Sequence, residues 1–279
     1  MGIRIWHQSF TVLGDLPAYT VALRSQIKKV CRPDTEVVLH GQIPGTYSSR
    51  YPGADLAHSF IYGLHEMQWV AAAMEAERQG FDAIVQANMP SPKTREIRSL
   101  VQIPIVGYGE AAFSLGGLYG RRIGMLFFNT QRRDFWPEQT RQWGAAERFA
   151  GIEAAGASFD DVADALGDEN GRDAVVARII EQGEKLVKTT GADVIVPGEM
   201  PLNLLLAMAG VSEIAGATVW DGIAMSFKLA EMMVDLQQVS KMRPSRHGFF
   251  HSSPDPKRVA EVLDFYGLQD LGKRIPSDG

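Results

Sequence analysis

The chain has 279 residues, 45% of them hydrophobic and 22% charged, with a net charge of −5 and a pI near 5.7. That is enough apolar material for one large domain or two of roughly 120–150 residues, and it leaves no basic footprint for nucleic acid or an anionic membrane. The only cysteine, Cys31, excludes an internal disulfide, and with no apolar leader and no run of about 18 apolar residues the expectation is a soluble cytoplasmic protein.

Short apolar runs alternate with longer helical patterns. Strands are expected at Ile3–Trp6, Glu36–Leu39, Ala83–Gln86, Ile105–Val106, Ile123–Phe127, Val194–Pro197 and Thr218–Trp220. Between them the spacing predicts helices over Tyr19–Val30, Ser59–Arg78, Glu110–Leu118, Trp136–Trp143, Ala174–Lys188 and Ile223–Gln238. Strands joined by helices of this length need crossovers, so the fold class is α/β, with doubly wound parallel sheets.

The chain also repeats itself. Asp82-Ala83-Ile84-Val85-Gln86-Ala87-Asn88-Met89-Pro90 returns as Asp193-Val194-Ile195-Val196-Pro197-Gly198-Glu199-Met200-Pro201. Each copy is a β-branched run that breaks at a polar residue followed by Met-Pro. Ile3-x-Ile5 before Ser9 and Ile123-x-Met125 before Asn129 extend the parallel. Two similar halves are therefore expected at 1–118 and 119–240, with a tail at 241–279 that ends in a short helix, Lys257–Tyr266. Asn88 and Glu199 hold equivalent places, and the site is expected between the halves.

Ligands in open α/β sheets sit beyond the carboxyl ends of the strands. His7, Ser9, His40, Asn88, Asn129, Thr130 and Glu199 fall at such ends. Glu199 can exchange a proton if Met200, Pro201, Leu202 and Leu204 make its surroundings apolar enough to raise its pKa; the alternative is an acid that caps the next helix. Asn88 can hold an oxyanion or a ring amide, and His7 can assist. Tyr47 and Arg50, in the Gly/Pro-rich loop 41–53, and Tyr108 are further binding candidates, with Arg50 suited to a carboxylate. No cofactor is required by this set. A metal alternative, with zinc or another divalent ion, uses His7, Glu199, His247 and His251 as ligands. Gly107-x-Gly109 and Gly116-Gly117 do not make a dinucleotide fingerprint.

The stretches Asp82–Pro92, Pro104–Ala112, Ala192–Met200 and Val219–Ala224, in this order, carry a resemblance to the aspartate/glutamate and hydantoin racemase superfamily, and within it to the hydantoin racemase branch. The resemblance implies a racemase-like duplication with a small-molecule site between the halves, and a homo-oligomer. It also implies a cysteine at each of the two equivalent strand ends, one per substrate face. Here those places hold Asn88 and Glu199, so a two-thiol mechanism is impossible. The first-strand loop departs too: His7-Gln8-Ser9-Phe10 stands where the family has an Asn-Pro-Asn-Thr-like loop. The expectation is an enzyme with replaced chemistry, acting on a small hydantoin-like or carboxylate substrate as an isomerase, lyase or hydrolase. The rivals are metal-assisted hydrolysis of a hydantoin or thiohydantoin ring, and a binding protein that has lost catalysis.

Overall fold

A computed structural model describes residues 2–278. The first half runs β1 (Ile3–Ser9), α1 (Pro17–Val30), β2 (Thr35–His40), α2 (Gly53–Leu56), α3 (Ser59–Arg78), β3 (Ala83–Ala87), α4 (Thr94–Leu100), β4 (Ile105–Gly107) and α5 (Tyr108–Leu115). The second continues with β5 (Ile123–Phe127), α6 (Phe135–Gln142), β6 (Phe149–Ala154), α7 (Phe159–Ala165), α8 (Glu169–Thr190), β7 (Val194–Pro197), α9 (Met200–Met208), β8 (Glu213–Ile214), β9 (Ala217–Val219) and α10 (Gly222–Ser240). The tail adds α11 (Pro256–Phe265) and β10 (Ser277–Asp278). Every expected strand and helix has a counterpart within a few residues. Among those not expected are β6, α7 and α9.

Two five-stranded sheets result, in the orders β10-β2-β1-β3-β4 and β6-β5-β7-β9-β8. All pairs are parallel except β10 with β2 and β8 with β9. The repeat is thus an architectural fact: β2-β1-β3-β4 corresponds to β6-β5-β7-β9. In each half the chain leaves the central strand to one side first and then to the other. The strand order reverses between β1 and β3, and again between β5 and β7. A crevice opens at such a switch point, outside the carboxyl ends of the two strands.

The β-branched residues of β3 and β7 are buried on both faces, as parallel strands covered by helices must be. One continuous core runs through both halves, from Ile5 and Val85 past Phe113 to Val196 and Phe227. A second cluster, with Trp6, Trp69, Ile84 and Ile105, fills the other face of the first sheet beneath α3.

Sequence places α10 in the second half, but it packs on β1, β3, β4 and α5 of the first. Its apolar stripe of Ile223, Phe227, Ala230 and Val234 is legible from periodicity; which sheet the stripe covers is not. Glu231 anchors this exchange, accepting from the Arg32 backbone N–H at 2.8 Å and from Thr35 Oγ1 at 2.7 Å. The tail also returns to the first half. Arg246 donates to the Arg98 and Val101 carbonyls at the end of α4, and β10 extends the first sheet beyond β2. Among the described residues no helix is long and apolar enough to cross a membrane.

Candidate active site

The two switch points open into one cavity of about 90 Å³. From the first half come Ser9 at the end of β1 with Phe10 and Thr11 after it, Tyr19 of α1, Tyr51 and Leu56, and Asn88 to Pro90 after β3. The second contributes Phe127, Asn129, Arg132, Trp136, Phe159 and Gly198 to Pro201. Asn88 and Glu199, equivalent by the repeat, therefore line the same space.

Each is delivered by a built turn. In the first, Asn88 Oδ1 accepts from the Ser91 N–H at 3.2 Å. Ser91 Oγ in turn accepts from the Gly109 N–H at 3.2 Å, which pins the loop to the start of α5. Asn88 lines the cavity, and its Nδ2 is buried without a partner, a donor still short of an acceptor. In the second turn β7 stops at Pro197, and Gly198 passes so close to the Phe127 ring that a Cβ there would sit 2.1 Å from it. Glu199 then takes an extended conformation (φ −127°, ψ 144°) ahead of α9.

Glu199 does not cap α9 with its side chain. Both carboxylate oxygens instead receive the Phe128 N–H, each at 3.3 Å. Burial is the largest influence on its pKa and favours the neutral acid; the Phe128 N–H and the charge of Arg132 oppose it. Burial wins, and the carboxyl is pushed up to about 8. Acid and carboxylate are then both populated near neutral pH, which proton transfer needs.

Other polar residues of the lining pair with one another. Ser9 Oγ and Thr11 Oγ1 lie 2.9 Å apart, and Asn129 Nδ2 donates to the Tyr51 hydroxyl at 2.7 Å. Tyr51 stacks on Phe159 at 5.1 Å between centroids, so a segment of the first half closes over the second.

Several expected site residues lie elsewhere. His7 is fully buried in the core, its ring 6.1 Å from Phe227 of α10, and neither ring nitrogen has a partner. Burial first, and then His40, depress its pKa to about 3. His40 sits on the opposite face of the sheet, stacked on Trp6 at 3.3 Å. Tyr47 packs against Phe10 and His65. Arg50 is committed to Asp160 at 2.6 Å and Asp164 at 3.4 Å. Tyr108 is buried and donates to the Pro197 carbonyl at 2.7 Å. Thr130 uses its carbonyl in a turn, accepting from the Arg133 N–H at 3.1 Å. His247 is exposed in the tail beside α4. The metal alternative loses its geometry: His7, His247 and His251 do not line the cavity with Glu199, and among the described residues no three His, Cys, Asp or Glu side chains are grouped to hold an ion. Cys31 is likewise remote, half-buried beside Glu231, and burial pushes its thiol up to about 12.

Thr11, Tyr19, Arg132 and the aromatic wall are among the lining residues that sequence reasoning missed. Thr11 and Tyr19 follow β1 closely enough for strand-end logic to have found them; Arg132 gave no signal beyond its place after β5.

A duplicated, doubly wound α/β chain with one acid and one amide facing a shared interlobe cavity has the build of a small-molecule enzyme of the two-lobed racemase kind. The family model described as Asp/Glu/Hydantoin racemase matches residues 17–230, and the chain belongs to that family. Among solved structures, the chain is similar to allantoin racemase from Klebsiella pneumoniae, with a TM-score of 0.71 and 21% identity over 91% of this chain and 94% of that one. It is also similar to allantoin racemase from Pseudomonas fluorescens (TM-score 0.67, 21% identity, 91% and 98% covered). An aspartate racemase homologue from Pyrococcus horikoshii is more distant, at TM-score 0.51 and 15% identity over 83% and 99%. At such identities the likeness is one of fold. No curated protein matches the chain.

Proposed function

We propose that the chain is a cysteine-independent proton-transfer enzyme acting on a small hydantoin-like or carboxylate molecule, with Glu199 as acid and base. The observation that carries this reading is Glu199 itself: a buried carboxyl, pushed up to about 8, on the cavity wall at the place equivalent to Asn88. As a carboxylate Glu199 removes a proton beside a carbonyl; as an acid it delivers that proton to a different carbon, or protonates the carbanion that a departing group leaves. The negative charge that develops on the carbonyl oxygen is met by the unpartnered Asn88 amide, with the Ser9 and Thr11 hydroxyls nearby on the lining.

Asn88 cannot exchange a proton near neutral pH. Only the Glu199 side of the substrate then has a group able to do so, and the product is made with one handedness. That favours a stereospecific isomerase, lyase or hydrolytic step over free two-way racemisation.

The test is solvent-deuterium incorporation and product formation across a panel of 5-substituted hydantoins, allantoin included, and small 2-substituted carboxylates. Glu199→Gln, which keeps shape and removes the ionisable group, is expected to lower turnover by roughly 100-fold or more. Turnover within about threefold of the parent takes Glu199 out of the chemistry.

A further inference from the structure

Among the described residues the cavity has one cation, and its setting is unusual. Arg132 lies in the loop between β5 and α6, half-buried, and lines the cavity. Its guanidinium carbon is 4.5 Å from the Tyr62 ring centroid, 4.2 Å from Phe135 and 5.8 Å from Trp136. Tyr62 comes from α3 of the first half and the other two rings from α6 of the second, so the rings hold the group in place from both lobes. Arg132 also lies within hydrogen-bond reach of the Tyr62 side chain, and the rest of its five N–H donors lie at the edge of the guanidinium plane.

Those donors are not claimed by a protein carboxylate. Among the described residues no acid lies within ion-pair range of Arg132, although other cations nearby are matched: Arg50 with Asp160 and Asp164, and Lys93 with Glu66 at 3.4 Å. Its charge nonetheless bears on Glu199 and Tyr51, which line the same cavity. A held cation without an ion-pair partner among the described residues, lining the same cavity as Asn88 with its unpartnered amide nitrogen, offers a site for a planar anion.

From this we infer that Arg132 binds the carboxylate of the substrate and selects a carboxylate-bearing molecule over a neutral hydantoin ring. The inference rests on the cavity being the substrate site, as proposed above, and narrows the two substrate classes to one. The carboxylate meets the N–H edge of Arg132 while the remainder of the molecule lies along Phe127, Trp136 and Phe159, a wall that suits a flat apolar group.

The experiment measures binding rather than turnover. Phenylacetate, benzoate and 3-phenylpropionate, each paired with its neutral amide, are titrated calorimetrically into the full chain and into Arg132→Gln, Arg132→Lys and Arg50→Gln. At least one acid is expected to bind better than its amide. Arg132→Gln should weaken that acid by roughly 10- to 100-fold, Arg132→Lys should recover part of the loss, and Arg50→Gln should leave binding within about twofold. Melting curves confirm that each variant is folded.

Three results each overturn the inference: no acid binds, amides bind as well as acids, or Arg132→Gln holds the acid like the parent. The proton-transfer reading is separable. Normal turnover by Glu199→Gln with intact dependence on Arg132 removes the chemistry and leaves the binding role. Loss of turnover in Glu199→Gln with no effect of Arg132 does the reverse.

Discussion

The phenol of Tyr108, first residue of α5 in one half, donates at 2.7 Å to the carbonyl of Pro197, last residue of β7 in the other. Pro197 stands two residues before Glu199, so this buried bond ties the position of the acid to the opposite lobe. The ring fits because residue 222 is glycine; a Cβ there would lie 2.0 Å from it. Tyr108→Phe keeps the ring and deletes the donor, leaving a buried carbonyl short of a partner, at a cost of about 1–3 kcal/mol. The melting temperature is expected to fall by several degrees. Because Glu199 then moves relative to the substrate, turnover should fall as well. An unchanged melting curve would show that the bond does not brace the lobes.

The raised pKa of Glu199 makes a stability prediction with a definite sign. Its folded value, about 8, lies above the ordinary carboxyl value of 4.5. The folded state therefore resists ionisation, and the group's contribution to stability is full below about 4.5 and is lost as pH rises to about 8. Glu199→Gln removes that loss. The variant should melt higher than the parent at pH 8 and close to it at pH 4.5, while its activity is absent or nearly so. In the parent, kcat/KM should show an inflection near pH 8 that the variant lacks. Equal melting temperatures across this range would mean the acid is already solvated.

How much of this was readable beforehand differs from residue to residue. Asn88 and Glu199 were legible because duplication is a pattern within one sequence: equal motifs at equal strand ends meet at equivalent switch points. His7 was misplaced by depth. It shares a sheet face with Ser9 but lies two residues earlier, roughly 7 Å down the strand, under a helix that crosses over from the other half. Arg50 and Arg132 read alike as loop arginines, and only non-local partners tell them apart: acids of α7 take the first, and rings from α3 and α6 frame the second. Strand β6 went unseen because Phe149-Ala150-Gly151-Ile152-Glu153-Ala154 is a half-exposed edge strand with one β-branched residue.

The burial of His7 carries its own consequence. Its pKa is held near 3 and that of His40 near 4, by burial above all, against 6.5 for an ordinary histidine. Between those values the unfolded chain binds more protons, so stability is present above about 6.5 and is lost as pH falls toward 4. His7→Leu fills the same space against Phe227 and removes two unpartnered nitrogens. It should raise the melting temperature more at pH 5 than at pH 8 and keep turnover within about twofold, as a change remote from the reacting atoms does. A collapse of activity in a folded His7→Leu protein would return this histidine to the chemistry.

Cys31 provides the sharpest contrast with thiol-based members of the family. It follows α1, beside Glu231 and away from the cavity, and burial, with Glu231 adding to it, pushes its thiol up to about 12. The thiolate is the nucleophile and the base in cysteine chemistry, and at neutral pH almost none is present here. Cys31→Ala should therefore retain turnover within about twofold, with a stability loss of no more than about 1–2 kcal/mol for a small, partly buried side chain. Iodoacetamide should label the folded parent slowly and without inactivating it. If alkylation instead abolished activity while the protein stayed folded, with Cys31→Ala equally inactive, the proton would have to pass through sulfur, and the carboxyl of Glu199 would lose its role.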